Sequence, residues 1–290
     1  MKIIREQMKR HMANSLLYNL SSRTKALKNI SKKFIVTTTI GRSICQYYEK
    51  SRTHLFKSVE IETTSICNRK CSYCPNYYIK RPVGYMEEGL FYKVIDELSE
   101  INYSGRLSPH FYGEPLLDKR IPNLISYARK KLPNAFIKLF TNGDLLTYDI
   151  FMELLDAGVD IFRIAQHDEE TSAAIRETLG KIGNKLNVER IEYEKFYNND
   201  NYLMNRGGLI EVKHDVEMKF CDYVAGVTID YKGNVLLCCQ DYKAEYSFGN
   251  IKDENILEIW NKKNYKSLRD KIKCGIWTLP ICRVCNGIDK

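Results

Sequence analysis

The chain has 290 residues, 44% hydrophobic and 28% charged, with a formal charge of +9, enough for one large domain or two smaller ones around a substantial core. No apolar run reaches the roughly 18 residues of a membrane-spanning helix, and the early charges in Met1-Lys2-Ile3-Ile4-Arg5 argue against a signal peptide. A cytoplasmic, reducing location is therefore expected, where ten cysteines point to metal rather than to disulfides.

The positive charge lies at the N-terminal end. Residues 1–58 hold thirteen Lys or Arg against Glu6 and Glu49, which is +11 of the total +9, so the remainder carries about −2. That near-neutral remainder gives no reason to expect nucleic-acid binding. Residues 1–57 read as a basic helical extension, with Arg5, Lys9, Arg10, Lys25, Lys28, Lys32 and Lys33 set among Ile3, Ile4, Leu16, Leu17, Leu20, Leu27 and Ile30. Such helices either pack on the body as a solvated arm or touch an anionic membrane or a partner. Cys45 stands alone here and reads as a small buried apolar residue.

From residue 58 the pattern becomes strand, loop, helix, repeated. Strands are expected at 59–66, 107–112, 135–140, 160–165 and 186–193, and helices at 87–98, 121–131, 148–157 and 171–181. Alternation of this kind implies an α/β fold, a parallel sheet with helices outside. In such folds ligands gather at the C-terminal ends of the strands. Those ends carry chemistry here. The first leads into Cys67, Cys71 and Cys74, and the second into His110-Phe111-Tyr112-Gly113-Glu114-Pro115. The third gives Thr141-Asn142-Gly143-Asp144, and the fourth Gln166-His167-Asp168-Glu169. Each alone could be a turn or a satisfied core histidine; four at one rim suggest a cofactor site.

The first cysteine set has the spacing Cys-x3-Cys-x2-Cys, with Tyr73 before the last. Three thiolates on one loop can hold three irons of a cubane and leave the fourth iron open. Zinc sites more often pair Cys-x2-Cys knuckles to supply four ligands. A second set, Cys221, Cys238, Cys282 and Cys285, surrounds a hairpin expected at 225–230 and 234–238. A helix is expected at 256–265, around Trp260. Four thiolates can fully ligate an auxiliary cluster or a structural zinc. The first motif favours iron–sulfur for both. Cys274 has no evident partner. Cys239, next to Cys238 in an expected strand, should face the opposite side, either as a buried small residue or as a free thiol able to donate a hydrogen atom.

With both cysteine sets in view, the chain resembles the radical S-adenosylmethionine (SAM) superfamily, in its branch with a SPASM-type or shorter twitch extension. The likeness covers about residues 58–290, in CNRKCSYCPN, GRLSPHFYGEPLL, TNGDLLT, AQH, NRGGLI, GNVLLC and GNI. It implies a partial (β/α)6 TIM-like barrel at 58–210, a twitch/SPASM-type domain at 211–290 and the helical extension in front. It also implies two [4Fe–4S] clusters, one on Cys67, Cys71 and Cys74 that binds SAM, the other on Cys221, Cys238, Cys282 and Cys285. Tyr73 would lie by the adenine, Gly113 and Glu114 at the methionine end, and Asn142 and Gln166 near ribose and methionine. Arg206, in Asn205-Arg206-Gly207-Gly208, matches an arginine that contacts substrate hydroxyls, with Tyr112 and Gln240 also facing the substrate.

The resemblance is to members that oxidise a hydroxyl-bearing carbon of a sugar or aminocyclitol, the second electron passing to the auxiliary cluster. Just after Cys238 those members have an aromatic residue and then a glutamate, where this chain has Cys239 and Gln240. The alternative is an epimerase of a sugar carbon or peptide α-carbon, with Cys239 as hydrogen-atom donor. A zinc-stabilised binding protein is the other alternative. A flavodoxin- or ferredoxin-type electron donor is expected as a partner.

Overall fold

The structure, a computed structural model, describes residues 55–182, 188–196, 204–212 and 221–289. The basic extension, with Cys45, lies outside the described residues apart from its last few. The chain divides into two compact units, Met1–Leu55 and Phe56–Lys290, and all that follows belongs to the second.

Eight strands form one sheet in the order β5-β4-β3-β2-β1-β6-β7-β8. The first five are β1 (Ser58–Ile61), β2 (Arg106–Ser108), β3 (Phe136–Thr141), β4 (Ile161–Gln166) and β5 (Ile191–Lys195). They are parallel, and helices connect them: α1 (Pro75–Tyr78), α2 (Glu88–Glu100), α3 (Ile121–Lys131), α4 (Tyr148–Ala157) and α5 (Ala173–Ile182). A sixth parallel strand, β6 (Val227–Ile229), pairs with the other side of β1, Val59 lying opposite Val227. The expected parallel α/β core is thus present. The C-terminal hairpin continues the same sheet: β6 pairs antiparallel with β7 (Asn234–Leu236), and β7 with β8 (Ser247–Asn250).

Alternation along each strand separates the two faces. Val59, Ile61, Leu107, Ile137, Leu139, Phe162 and Ile164 are buried in one apolar core with Phe91, Val94, Ile95 and Leu98 of α2 and Leu124 and Ile125 of α3. The other face carries charge. Arg106 bonds Glu60 at 2.8 Å, Lys138 bonds Glu192 at 2.7 Å, and Arg163 pairs with Glu192 at 3.3 Å and with Glu194. The cations of this row lie 5.4–5.8 Å from the Phe140 ring. A fully covered parallel sheet reads as near-continuous apolar strands; here the inner face lines the barrel interior and stays polar.

Several element limits differ from the sequence expectation for identifiable reasons. The first strand ends at Ile61, because residues 63–65 turn to bond a returning strap: Met86 N donates to Thr63 O at 2.8 Å and Ser65 N to Gly84 O at 3.0 Å. The second stops at Ser108 because Pro109 has no N–H for the ladder. The fifth begins only at Ile191, after a 3-10 turn at Val188–Arg190. The helix expected at 256–265 is two, α6 (Ile256–Asn261) and α7 (Lys263–Lys273), since Lys262 is extended with ψ at 130°. The chain ends in α8 (Pro280–Cys285), with Pro at the first turn where its missing N–H costs nothing. No helix among the described residues is long and apolar enough to cross a membrane.

Candidate active site between two sets of thiols

The cysteine loop follows β1 and is tied to the loops after β3 and β4. Asn68 accepts from Asn142 Nδ2 at 2.8 Å and donates to Asp144 at 3.0 Å. The Arg69 guanidinium grips both Asp144 oxygens at 2.6 Å and Asp168 at 2.7 Å. Bidentate pairing of this kind fixes geometry as well as charge. Arg69 was not singled out from sequence, although its partners lie in the two strand-end motifs that were.

Within the loop the thiols act on one another. Cys74 and Cys67 both press on Cys71, and Cys74 on Cys67, while burial pushes Cys71 up to about 11. Arg69 N points at Cys67 Sγ at 3.5 Å, the kind of N–H donor that steadies a thiolate. Among the described residues no three His, Cys, Asp or Glu are gathered to hold a single metal ion. A cubane spreads its ligands over separate corners, and a thiol-only loop with mutual electrostatic contact fits that larger group.

Glu114 braces the rim. Its carboxylate accepts from Thr141 Oγ1 at 2.7 Å, Asn142 N at 2.8 Å and Leu116 N at 3.1 Å, and its own N–H donates to Ile66 O at 2.8 Å. It is 3% exposed. Burial raises its pKa to about 7, against the opposing pull of those three donors. Gly113 is required beside it, because a Cβ there would lie 1.8 Å from Thr64 O. Gln166 spends its amide internally, donating to Asp168 O at 2.8 Å and Glu169 O at 2.9 Å and accepting from Tyr193 Oη at 2.7 Å. It shapes the loop after β4. Tyr73 hydrogen-bonds His167, with ring centroids 5.9 Å apart, and Phe196 stacks 6.0 Å beyond. This aromatic row gives a flat ring somewhere to lie.

The Glu114 carboxyl is protonated more readily in the folded chain than in the unfolded one. Its contribution to stability is therefore full below the ordinary pKa of 4.5 and is lost as pH rises toward about 7. Glu114→Gln should remove that slope. The stability gap between wild type and variant is expected to narrow from pH 5 to pH 8 by on the order of 3 kcal/mol. A gap independent of pH in denaturant titrations would contradict this.

The second set of thiols also converges. Cys238 feels Cys221 and Cys285, and Cys282 feels the same two. Burial raises Cys282 to about 12 and Cys285 to about 11. Backbone N–H groups again face sulfur: Gln240 N to Cys238 at 3.4 Å, and those of Tyr223 and Val224 to Cys221. Cys274 is exposed at the end of α7 and belongs to neither set. Cys238 and Cys239 lie in a turn beyond β7, not in a strand as expected, with Asp241 N bonded to Cys238 O at 3.2 Å. The turn, not strand alternation, sends their side chains to different surroundings.

Between the two sets lies a group of polar side chains. Arg206 has φ at 53° in the turn 205–208, and its guanidinium carbon lies 5.6 Å from the Tyr112 ring centroid. It has no carboxylate partner among the described residues. Tyr112 Oη donates to Cys239 O at 3.0 Å. Burial raises Cys239 to about 12, with the charge of Glu60 acting the same way and that of Arg206 opposing it. Gln240 Nε2 reaches Cys239 Sγ at 3.6 Å, while Gln240 Oε1 is buried without a partner. On the β1 side, Glu62 is held by Arg81, Tyr112 N at 3.2 Å and Tyr231 N at 3.3 Å. Arg81 in turn lies over Tyr242 at 5.0 Å. Glu60, Glu62 and Arg81 were missed from sequence; the alternation of Glu60 and Glu62 between apolar residues was the available signal.

A profile of the radical SAM superfamily matches residues 61–194, and an iron–sulfur cluster-binding SPASM profile matches 221–286. An S-adenosyl-L-methionine-dependent 2-deoxy-scyllo-inosamine dehydrogenase of Niallia circulans is 32% identical over 241 residues, covering 81% of this chain and 94% of that protein. A tungsten-containing aldehyde ferredoxin oxidoreductase cofactor-modifying protein of Pyrococcus furiosus is 29% identical over 142 residues, but the match covers only 37% of it. The crystal structure of BtrN with AdoMet and 2-DOIA superposes with a TM-score of 0.72 at 31% identity, covering 80% of this chain and 93% of that one. Native anSMEcpe with bound AdoMet, at 13% identity and a TM-score of 0.53, shares the fold.

Proposed function

The chain belongs to the radical SAM superfamily, with a SPASM-type iron–sulfur domain behind the core, and from that membership we propose that it oxidises a hydroxyl-bearing carbon of a sugar or aminocyclitol-like molecule to a ketone. Membership carries a SAM-binding [4Fe–4S] cluster and auxiliary iron–sulfur, which displaces the reading as a zinc-stabilised binding protein. Cys67, Cys71 and Cys74 would hold the first cluster, and Cys221, Cys238, Cys282 and Cys285 one auxiliary cluster. When bound, these groups supply a 5′-deoxyadenosyl radical and an electron acceptor.

The observation that carries the proposal is the group of polar side chains between the two thiol sets, with Arg206 over Tyr112 and without a carboxylate partner among the described residues. A planar fork of donors suits adjacent hydroxyls. Gln240 Oε1, buried and unsatisfied, offers an acceptor to a substrate hydroxyl. Ketone formation takes one hydrogen atom, one proton and one electron from the substrate. The proton needs a base. Glu62, Glu114, Asp144 and Asp168 are all engaged by the donors described above. Among the described residues Glu60 has only Oε1 engaged, by Arg106; its Oε2 is the acceptor we assign. Gly113, Glu114 and Asn142 shape the rim that would receive the methionine end, and Tyr73 the adenine side. We place the enzyme in the cytoplasm with a flavodoxin- or ferredoxin-type donor, and keep the division at 210 between core and auxiliary domain.

A second reading, epimerisation, is favoured by the Cys239 thiol, half-buried and held protonated, its pKa raised by desolvation and by the charge of Glu60. One experiment separates the two. The reconstituted protein is incubated anaerobically in deuterium oxide with SAM, dithionite and a set of probes: 2-deoxy-scyllo-inosamine, scyllo-inositol and free hexoses. We expect a ketone formed in step with 5′-deoxyadenosine, unchanged within about threefold in Cys239→Ala and reduced at least about tenfold per 5′-deoxyadenosine in Glu60→Gln. Deuterium at an inverted carbon, lost in Cys239→Ala, would overturn the dehydrogenase reading.

A further inference from the structure

Arg206 is fixed from behind by the auxiliary side and points toward the SAM side. The turn that carries it is clamped to α8: Asn205 Nδ2 donates to Val284 O at 2.8 Å, and Gly208 N and Ile210 N close on Asn205 O at 3.0 and 2.9 Å. Gly207 and Gly208, with φ at 66° and 90°, lie so tightly against α8 that a Cβ would stand 2.6 Å from Ile281 and 2.5 Å from Val284. The Gly207 N–H faces Cys285. So the backbone on one side of Arg206 touches an auxiliary thiol.

Its side chain leaves in the other direction, over the Tyr112 ring. Asn76 Nδ2 ties Tyr112 O to the helix that begins just after Cys74, at 3.0 Å. On its other side Tyr112 Oη donates to Cys239 O at 3.0 Å, beside Cys238, so the ring under the guanidinium is tied to the neighbourhood of both thiol sets. Every cation of the inner barrel row has a carboxylate: Arg106 has Glu60, Lys138 and Arg163 have Glu192. Arg81 has Glu62. Of these cations, Arg206 has no carboxylate partner among the described residues.

We propose that Arg206 is a shared counter-charge for the two iron–sulfur clusters, a positioning residue that raises the reduction potential of both. A cubane held by thiolates is anionic and gains a further negative charge on reduction, so a nearby fixed cation favours the reduced form. The guanidinium stays charged in any environment the protein offers. One residue then serves two demands of the chemistry, easing electron entry at the first cluster and electron exit to the second.

The test needs no substrate. Wild type, Arg206→Gln and Arg206→Lys are reconstituted anaerobically, iron is counted, and both clusters are followed by EPR during a redox titration without SAM. In Arg206→Gln the reduced-to-oxidised ratio at a given potential should fall about tenfold at each cluster, ~59 mV for a one-electron couple. Arg206→Lys should stay within about threefold of wild type at both. Should Arg206→Gln hold less than its full iron, Arg206→Met, close in length and also neutral, takes its place. A shift at one cluster only, at neither, or of equal size in the Lys and neutral variants overturns the proposal. These readouts are independent of whether the product is a ketone or an epimer.

Discussion

Replacing Cys71 by Ala should abolish reductive cleavage of SAM, by on the order of 10³-fold or more, while leaving the auxiliary iron in place. The loop supplies three thiolates, Cys67, Cys71 and Cys74, within eight residues of chain. With one removed, a second iron corner opens and the cluster loses its anchor; loss of supporting contacts alone costs 10- to 100-fold at metal sites, and loss of a ligand costs more. Iron should fall from about eight to about four per chain, as expected for one of two cubanes. The check is 5′-deoxyadenosine production with dithionite, together with iron and sulfide analysis. Cys274→Ala is the control, because that thiol is exposed at the end of α7 and should change neither quantity. Retained 5′-deoxyadenosine in Cys71→Ala would remove Cys71 from the site.

Gly113→Ala should be nearly as damaging although it removes no atom. The added Cβ would stand 1.8 Å from Thr64 O, 2.7 Å from Thr64 C and 3.1 Å from Ile66 O. All three are backbone, so no side chain can swing away. The chain must separate between the loop after β2 and the segment leading to Cys67. That movement breaks the 2.8 Å bond from Glu114 N to Ile66 O, one residue from the first thiol. Overpacking typically costs about 1–3 kcal/mol. Displacing a reacting group by about 1 Å can cost 10²-fold in rate. A fall of at least about 100-fold in 5′-deoxyadenosine formation, with the secondary-structure spectrum unchanged, is the expected outcome. Activity within a few-fold of wild type would show that the rim yields there.

Some of the inner charges were readable only in part. Glu60 and Glu62 alternate with Val59 and Ile61, so their shared face was visible in the sequence, but their partners were not. Arg81 meets Glu62 across 19 residues and Arg106 meets Glu60 across 46, separations that no local pattern records. Gln166 illustrates the converse. Its place at the end of β4 was legible, yet its amide is taken up by its own loop and by Tyr193. Strand alternation would set Cys239 opposite Cys238, whereas β7 stops at Leu236 and both thiols lie in the turn beyond it.

The sequence by itself determined the repeating parallel core, the two sets of thiols and the rim that carries them. Those features rest on local causes: alternation along a strand, helical spacing of apolar residues, and the short reach of a three-cysteine loop. Only the tertiary structure decided that β6 extends the core sheet beside β1, and that the turn at 205–208 is locked onto α8. It alone placed Arg206, with no carboxylate partner among the described residues, over Tyr112 on a turn bonded to α8. The reason is physical. A charge's surroundings depend on chain segments brought together by packing, and burial, not spacing, sets what an arginine in that space must balance.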